Sequence, residues 1–117
     1  MSMNLPSIGS AQTPYGPATI HVGRFFFNDA ASTEIYTADD EMPEPLATLS
    51  CNFAPSGVTL ADDEFCVKAW SENEPLIAPL LATGLFEDTG RRTPTGYAVS
   101  PTWRIKDRQF VPPRRGR

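Results

Sequence analysis

The sequence predicts an α+β domain: an antiparallel sheet of about five strands with one short helix packed on one face. Four segments of alternating apolar and polar residues precede the one segment with helical spacing, and a fifth follows it after a short connection. Twelve prolines and eight glycines among 117 residues imply short elements and many turns. A chain of this length has room for one domain.

The first hairpin is predicted from residues 18–27 and 33–37. Apolar side chains occupy every second position from residue 18, but the alternation slips at Gly23. A β-bulge at Gly23 would restore the phase and return Phe25 and Phe27 to the core. A turn then brings residues 33–37 back as the antiparallel partner.

Three more strands are predicted at residues 46–53, 64–70 and 96–105. Pro101 cannot donate a backbone hydrogen bond, so the last strand should lie at an edge or break there. The polar connections are residues 38–45, 54–63 and 87–95.

The helix is predicted to follow the fourth strand. Ser71 would cap its N-terminus, and Glu74 would complete a capping box. Gly84 would end the helix in the left-handed conformation. Pro79 removes a backbone hydrogen bond, so we expect a kink or a helix of only two to three turns.

The predicted hydrophobic core combines the inward positions of the strands with the apolar stripe of the helix. It consists of Ile20, Val22, Phe25, Phe27, Leu49, Phe53, Phe65, Val67, Leu76, Ile77, Leu80 and Leu81.

The charges divide the chain into an acidic body and a basic end. Residues 1–16 are expected to form a flexible arm, residues 17–105 the domain, and residues 106–117 a mobile basic tail. The formal net charge is −4. Residues 1–103 carry thirteen acids and four bases, whereas residues 104–117 carry six bases and one acid. The body therefore has a charge opposite to that of its tail.

No combination of residues predicts catalysis, a cofactor or a metal site. His21 is the one histidine, and no nucleophile or phosphate-binding motif accompanies it. Cys51 and Cys66 are interpreted as small buried strand residues in a reducing compartment, since nothing in the sequence suggests the oxidising surroundings that a disulfide needs. Two thiols and His21 at unrelated spacings do not form a metal site. We expect a non-enzymatic protein without a cofactor.

The sequence also predicts a cytoplasmic protein that does not enter membranes. No apolar run approaches the roughly 20 residues that a membrane-spanning helix needs. Residues 1–12 lack the basic region and apolar stretch of a signal peptide.

Two charged surfaces are the candidate binding sites. The acids are contiguous, unlike the alternating ligands of a calcium loop, which leaves a solvated loop or a protein-facing patch. The candidate protein-binding residues are Asp39, Asp40, Glu41, Glu44, Asp62, Asp63, Glu64, Glu72 and Glu74. The candidate nucleic-acid-binding residues are Arg104, Lys106, Arg108, Arg114, Arg115 and Arg117.

Four short motifs lie within residues 46–105: Ser71-Glu72-Asn73-Glu74, Ala82-Thr83-Gly84-Leu85, Asp88-Thr89-Gly90-Arg91 and Pro94-Thr95-Gly96-Tyr97. With them, this half of the chain resembles a family of small uncharacterised proteins encoded on plasmids, integrative elements and phages. The resemblance implies a mobile-element accessory protein and brings no known activity or catalytic residues. Pro79 and the long basic tail depart from the family pattern.

The mobile-element setting that the resemblance implies and the acidic charge together predict an inhibitor of host defence. Small acidic proteins of mobile elements often act by obstruction, as anti-CRISPR proteins do, and basic nucleic-acid channels attract negative charge. The expected partner is a host protein with a basic nucleic-acid-binding surface, such as a CRISPR effector subunit. The alternative is an accessory nucleic-acid-binding module that uses the tail. Direct nucleic-acid binding is the weaker expectation, since the acidic body repels the same polyanion.

Overall fold

The structure, a computed structural model, describes residues 7–24, 31–38, 42–51, 60–95 and 98–112. Within these ranges, eight strands form two antiparallel sheets, which confirms the α+β class but exceeds the predicted five strands. The strands are β1 (Ser7–Thr13), β2 (Gly16–Arg24), β3 (Ala31–Thr37), β4 (Pro45–Thr48), β5 (Ser50–Cys51), β6 (Glu64–Val67), β7 (Phe86–Pro94) and β8 (Val99–Ile105). A 3-10 helix, Ser71–Leu76, continues directly into the α-helix α1, Ile77–Ala82.

The two sheets differ in how their strands follow the chain. Sheet A has the order β1-β2-β3-β4, so each strand pairs with its neighbour in sequence. Sheet B has the order β5-β6-β8-β7, in which β8 lies between β6 and β7. The helical segment connects β6 to β7, and α1 contacts both β1 and β7. The helix thus spans the gap between the outer strands of the two sheets.

Leu49 joins sheet A to sheet B. It lies between β4 and β5, and its side chain is completely buried. Its N–H donates to the carbonyl of Thr33 in sheet A at 2.9 Å, and its carbonyl accepts from the N–H of Lys68 at 2.7 Å. Leu49, the one residue between β4 and β5, therefore divides its two backbone hydrogen bonds between the two sheets.

The prediction that residues 1–16 form a flexible arm is wrong for residues 7–16, the part that the structure describes. Ser7–Thr13 forms β1 and pairs with β2 from Ser7↔His21 to Thr13↔Gly16. Ile8 is buried in the core, and Gly9 lies so close to Leu85 that a Cβ there would be 2.6 Å from its Cδ1. The absence of a side chain at Gly9 therefore lets β1 approach the end of the helix.

The bulge predicted at Gly23 is absent. β2 pairs with β3 in unbroken register through Val22↔Thr33, Gly23↔Ser32 and Arg24↔Ala31. Arg24 consequently shares the core-facing side of β2 with Val22, and its Nη2 donates to the carbonyl of Pro112 at 2.6 Å. Because the guanidinium has a partner there, the strand needs no change of phase. Phe25 and Phe27 lie outside the described residues.

The helix begins differently from the predicted capping box. Trp70 occupies the N-cap position with an extended backbone, no side chain caps the helix, and Ser71 has a φ of +60°. Asn73 anchors this end instead: it is fully buried, and its Nδ2 donates to the carbonyl of Thr48 at 3.0 Å. Gly84 follows the helix with a φ of +78°, as predicted.

Pro79 causes no defect in the helix. The 3-10 turns end at Leu76 and α1 begins at Ile77, which places Pro79 third in the α-helix. The first N–H groups of an α-helix have no partner within it, so the missing donor of a proline is tolerated there. The result is an α-helix of six residues after six residues of 3-10 helix, close to the predicted length.

The polar loop predicted for residues 87–95 is in fact strand β7. Most of its residues are exposed on both faces, so the sequence has no apolar alternation to reveal a strand. β8 is also not an edge strand. Pro101 is accommodated because the β6 ladder ends at Thr102, which leaves Pro101 opposite Arg92 of β7 alone.

The predicted core is confirmed where it is described. Seven of the predicted residues are buried, Ile77 and Leu81 pack partly buried against them, and Phe53 lies outside the described residues. The buried seven are Ile20, Val22, Leu49, Phe65, Val67, Leu76 and Leu80. Trp103, Phe86 and Ile105 were missed, and Trp103 packs edge-on against Phe65 at a ring-centroid distance of 6.2 Å.

Leu80→Ala should lower the free energy of unfolding by about 2–5 kcal/mol, because it leaves a cavity at a fully buried position. Leu81→Ala, on the same helix but only partly buried, is the matched control and should cost less than half as much. Urea unfolding of both variants measures the difference. Equal losses would show that the helix does not pack through Leu80.

Candidate protein-binding surface

Sheet B carries a dense set of ion pairs, here called the sheet B array. Its members come from β6, β7, β8, the turn before β6 and the chain that follows β8. They are Asp62, Asp63, Glu64, Glu87, Asp88, Arg91, Arg92, Arg104 and Arg108. Four arginines thus face five carboxylates, which leaves this surface close to neutral.

The centre of the sheet B array is a row across three strands. Arg104 of β8 is the register partner of Glu64 on β6 and of Glu87 on β7. Opposite charges that face each other across strands stabilise a sheet. The ion pair with Glu87 raises the pKa of Arg104 above its ordinary value.

Glu64 is the most buried acid of the array, with a side chain that is 13% exposed. Burial works to raise the pKa of its carboxyl, but the N–H of Ala61, 2.9 Å from Oε1, and the ion pair with Arg91 outweigh it. The pKa of Glu64 therefore lies below its ordinary value. This carboxylate therefore ties the first residue of β6 to Ala61 in the preceding turn and to Arg91 of β7.

Asp88 and Arg92 form a second pair within β7. The guanidinium binds both carboxylate oxygens, at 2.9 and 3.0 Å, and this hydrogen bonding lowers the pKa of Asp88. The register of β7 shifts between these residues, and Gly90 lies there with a φ of +90°. The irregularity brings two residues of one strand close enough to pair.

Residues 106–112 of the basic tail pack against the folded domain, so the prediction of a mobile tail is wrong for these residues. Arg108 binds both carboxylate oxygens of Asp62 at 3.0 Å and lies 3.7 Å from Asp63. Phe110 and Val111 pack partly buried against the core. Residues 113–117 lie outside the described residues.

The structure therefore separates the predicted protein-binding acids into two groups. Asp62, Asp63 and Glu64 belong to the sheet B array and are neutralised by arginines. Glu44, Glu72 and Glu74 lie away from it and are exposed. Asp39, Asp40 and Glu41 lie outside the described residues.

The second group surrounds β4. Glu44 immediately precedes this strand, and Glu72 and Glu74 flank Asn73, which bonds to Thr48 at its other end. Glu34 on β3 is the register partner of Thr48 and joins the group. A strand of four residues spans about 13 Å. We call Glu34, Glu44, Glu72 and Glu74 the β4 acidic face.

Partners on the β4 acidic face are few among the described residues. Glu72 pairs with Lys68 at 2.8 Å, and its side chain is still 62% exposed. Glu34 accepts a hydrogen bond from the Tyr36 hydroxyl at 3.0 Å. No ion pair is formed by Glu34, Glu44 or Glu74 within the described ranges. This surface therefore keeps most of its negative charge.

The predicted nucleic-acid-binding bases are not gathered on one open surface. Arg104 and Arg108 are engaged with Glu87 and Asp62, whereas Lys106 is exposed. Arg114, Arg115 and Arg117 lie outside the described residues.

Sequence reasoning missed Glu34 and the pairing of the arginines. Glu34 is an isolated acid between Thr33 and Ile35, and only the β3–β4 register places it beside β4. The pairs of Arg91 and Arg108 join residues far apart in sequence, which no local pattern reveals. The four-residue spacing of Asp88 and Arg92 is visible in the sequence, but in a regular strand it places the two side chains too far apart to form an ion pair.

Comparisons with protein-family models, with curated proteins and with solved structures found no match to this chain. In the part of the chain that the structure describes, no three or more His, Cys, Asp or Glu side chains are grouped so that they could hold a metal ion. None of the helices among the described residues has the length and apolar character that crossing a membrane requires.

Glu64→Gln should lower the free energy of unfolding at pH 7 by about 1–2 kcal/mol, because it removes charge-assisted hydrogen bonds at a largely buried carboxylate. The pKa of Glu64 is lower in the folded state than the unfolded-state value near 4.5, so the ionised carboxylate stabilises the fold above that pH. This stabilisation is lost as the pH falls through the folded-state pKa. Urea unfolding from pH 7 to pH 3 should thus show the wild type approaching the variant. Glu74→Gln, at an exposed position, is the control; a pH-independent gap would contradict the assignment.

Truncation after Pro112 should leave the stability within about 0.5 kcal/mol, since it keeps every described contact of the tail. Truncation after Ile105 should cost about 1–3 kcal/mol, mainly through the lost apolar burial of Phe110 and Val111. Thermal and urea unfolding of the two truncated proteins test this. Equal stability would show that residues 106–112 do not dock in solution.

Proposed function

We propose that this protein is a non-enzymatic accessory protein of a mobile genetic element that binds and obstructs a host defence nucleoprotein, as an anti-CRISPR inhibitor does. The observation that carries the proposal is the β4 acidic face. Three of its four glutamates have no ion-pair partner among the described residues. A surface built to hold nucleic acid is basic, and it is the natural complement of such a face.

The contrast between the two charged surfaces supports this location. The sheet B array satisfies its carboxylates internally, so a partner that docked there would have to displace Arg91 or Arg108. On the β4 acidic face a partner's arginine would meet three carboxylates that form no ion pair within the described residues. The cost of docking is therefore lower beside β4.

The setting of the proposal comes from the sequence. The resemblance of residues 46–105 to proteins of plasmids, integrative elements and phages supports a partner among the defences that such elements would meet in the cytoplasm. A CRISPR effector subunit with a basic nucleic-acid channel fits this description. The engagement of Arg104 and Arg108 in ion pairs weighs against the alternative, a nucleic-acid-binding module that uses the tail.

The proposal is tested with purified CRISPR effectors from hosts of such elements, by measuring their binding to target DNA with and without this protein. Obstruction should saturate at a one-to-one ratio. Once an inhibited effector is identified, the variant Glu44→Gln/Glu72→Gln/Glu74→Gln should associate with it about ten-fold more slowly at low salt, because charge complementarity mainly speeds encounter. Its rate should also depend less on salt than that of the wild type.

The matched control is Asp62→Asn/Arg108→Gln, which removes one acid and one base from the sheet B array and leaves the net charge unchanged. It should associate within two-fold of the wild-type rate. A triple glutamine variant that binds as fast as the wild type would reject the β4 acidic face. Inhibition lost only on truncation after Pro112 would instead favour the nucleic-acid-binding alternative.

A further inference from the structure

The two cysteines of the chain lie directly opposite each other on neighbouring strands. Cys51 of β5 and Cys66 of β6 are register partners in an antiparallel pair, so both side chains project from the same face of sheet B. Both are free thiols; Cys66 is fully buried and Cys51 is partly exposed. They are thus brought together although roughly 15 residues separate them in the sequence.

The backbone spacing at this pair suits a disulfide. The N–H of Lys68 donates to the carbonyl of Leu49 at 2.7 Å, so these two facing residues form a hydrogen-bonded pair. Along antiparallel strands, hydrogen-bonded and non-hydrogen-bonded pairs alternate. Two residues along, Cys51 and Cys66 are therefore also a hydrogen-bonded pair, with Cα atoms about 5.5 Å apart. Disulfides join Cα atoms at about 4.4–6.8 Å. The Cβ atoms of a hydrogen-bonded pair lie about 5.5 Å apart, whereas a disulfide brings them to about 4.5 Å or less. A bond between these sulfurs therefore needs side-chain rotation and a small local approach of the two strands.

We propose that Cys51 and Cys66 are a covalent modification site that forms a reversible intramolecular disulfide by exchange with a low-molecular-weight disulfide. The inference is independent of the proposed function. The bond would fix β5 to β6 two residues after Leu49, where one strand passes from sheet A to sheet B. It would therefore stabilise the junction between the two sheets.

The exchange proceeds in two balanced steps. The thiolate of Cys51, the accessible member, attacks one sulfur of the small disulfide, forms a mixed disulfide and releases one small thiol. Cys66 then gives its proton to water and attacks the sulfur of Cys51, which expels the second small thiol. Two protein thiols are oxidised, and one external disulfide is reduced to two thiols.

The environment of the pair makes the reaction slow at neutral pH. Burial, and then the neighbouring Cys66, raises the pKa of Cys51 to about 11. The thiolate is the reactive form, so its small population near pH 7 limits the first step. The site would consequently respond to sustained rather than brief oxidising conditions.

The test is incubation of the full chain with oxidised glutathione, followed by intact mass measurement. The expected product is a monomer that has lost two hydrogen atoms and keeps no glutathione. Its thermal midpoint should rise by roughly 10 °C and return on reduction with dithiothreitol. The rate should increase about ten-fold per pH unit from pH 7 to pH 9, since the thiolate fraction does so below a pKa of about 11.

Two variants assign the roles of the thiols. Cys66→Ser should retain one glutathione on Cys51, because nothing resolves the mixed disulfide. Cys51→Ser should stay unmodified while folded, because Cys66 is fully buried. Cleavage must be directed at Asp and Glu, since no Lys or Arg lies between the cysteines whereas Asp62, Asp63 and Glu64 do. The two fragments should remain joined until reduction.

Three results would overturn the proposal. The wild-type protein could keep a stable glutathione adduct, or it could form only dimers through intermolecular disulfides. In the third result, its thiols would react only after unfolding in urea.

Discussion

The structure depends on the way one residue, Leu49, divides its backbone hydrogen bonds. Its N–H donates to sheet A and its carbonyl accepts from Lys68, which follows β6 of sheet B, so the chain passes directly from one sheet to the other at this point. The side chain is completely buried in the hydrophobic core. On the opposite side of sheet A, Gly9 of β1 lies against Leu85 at the end of the helical segment.

The charges follow from the same division. Sheet B, with β7 mostly exposed on both faces, gathers arginines and carboxylates that neutralise each other in pairs. Sheet A ends at β4, and glutamates from three separate parts of the chain lie around this strand. Their one ion pair among the described residues joins Glu72 to Lys68. A net charge of −4 is therefore distributed unevenly, and the excess lies beside β4 among the described residues.

The sequence predicts the elements whose side chains alternate between core and solvent, and mostly fails where they do not. β2 was found because Ala18, Ile20 and Val22 alternate with the partly exposed Thr19 and His21. β6 was found although Phe65, Cys66 and Val67 are all buried. β7 was missed because Phe86 is its single buried residue, and β1 because Ile8 is its single buried residue. The acids at residues 62–64 were visible as a cluster, but their neutralisation depends on Arg91 and Arg108, which only the fold brings near.

The strand orders of the two sheets have a consequence for the order of folding. Sheet A consists of pairings between consecutive strands, which close short loops and form early. In sheet B, β8 must reach β6 past the intervening helix and β7, so this pairing is non-local and forms later. Until then Trp103 of β8 cannot cover Phe65 of β6. In a nascent chain this apolar side chain would therefore stay uncovered until the last strand is released from the ribosome.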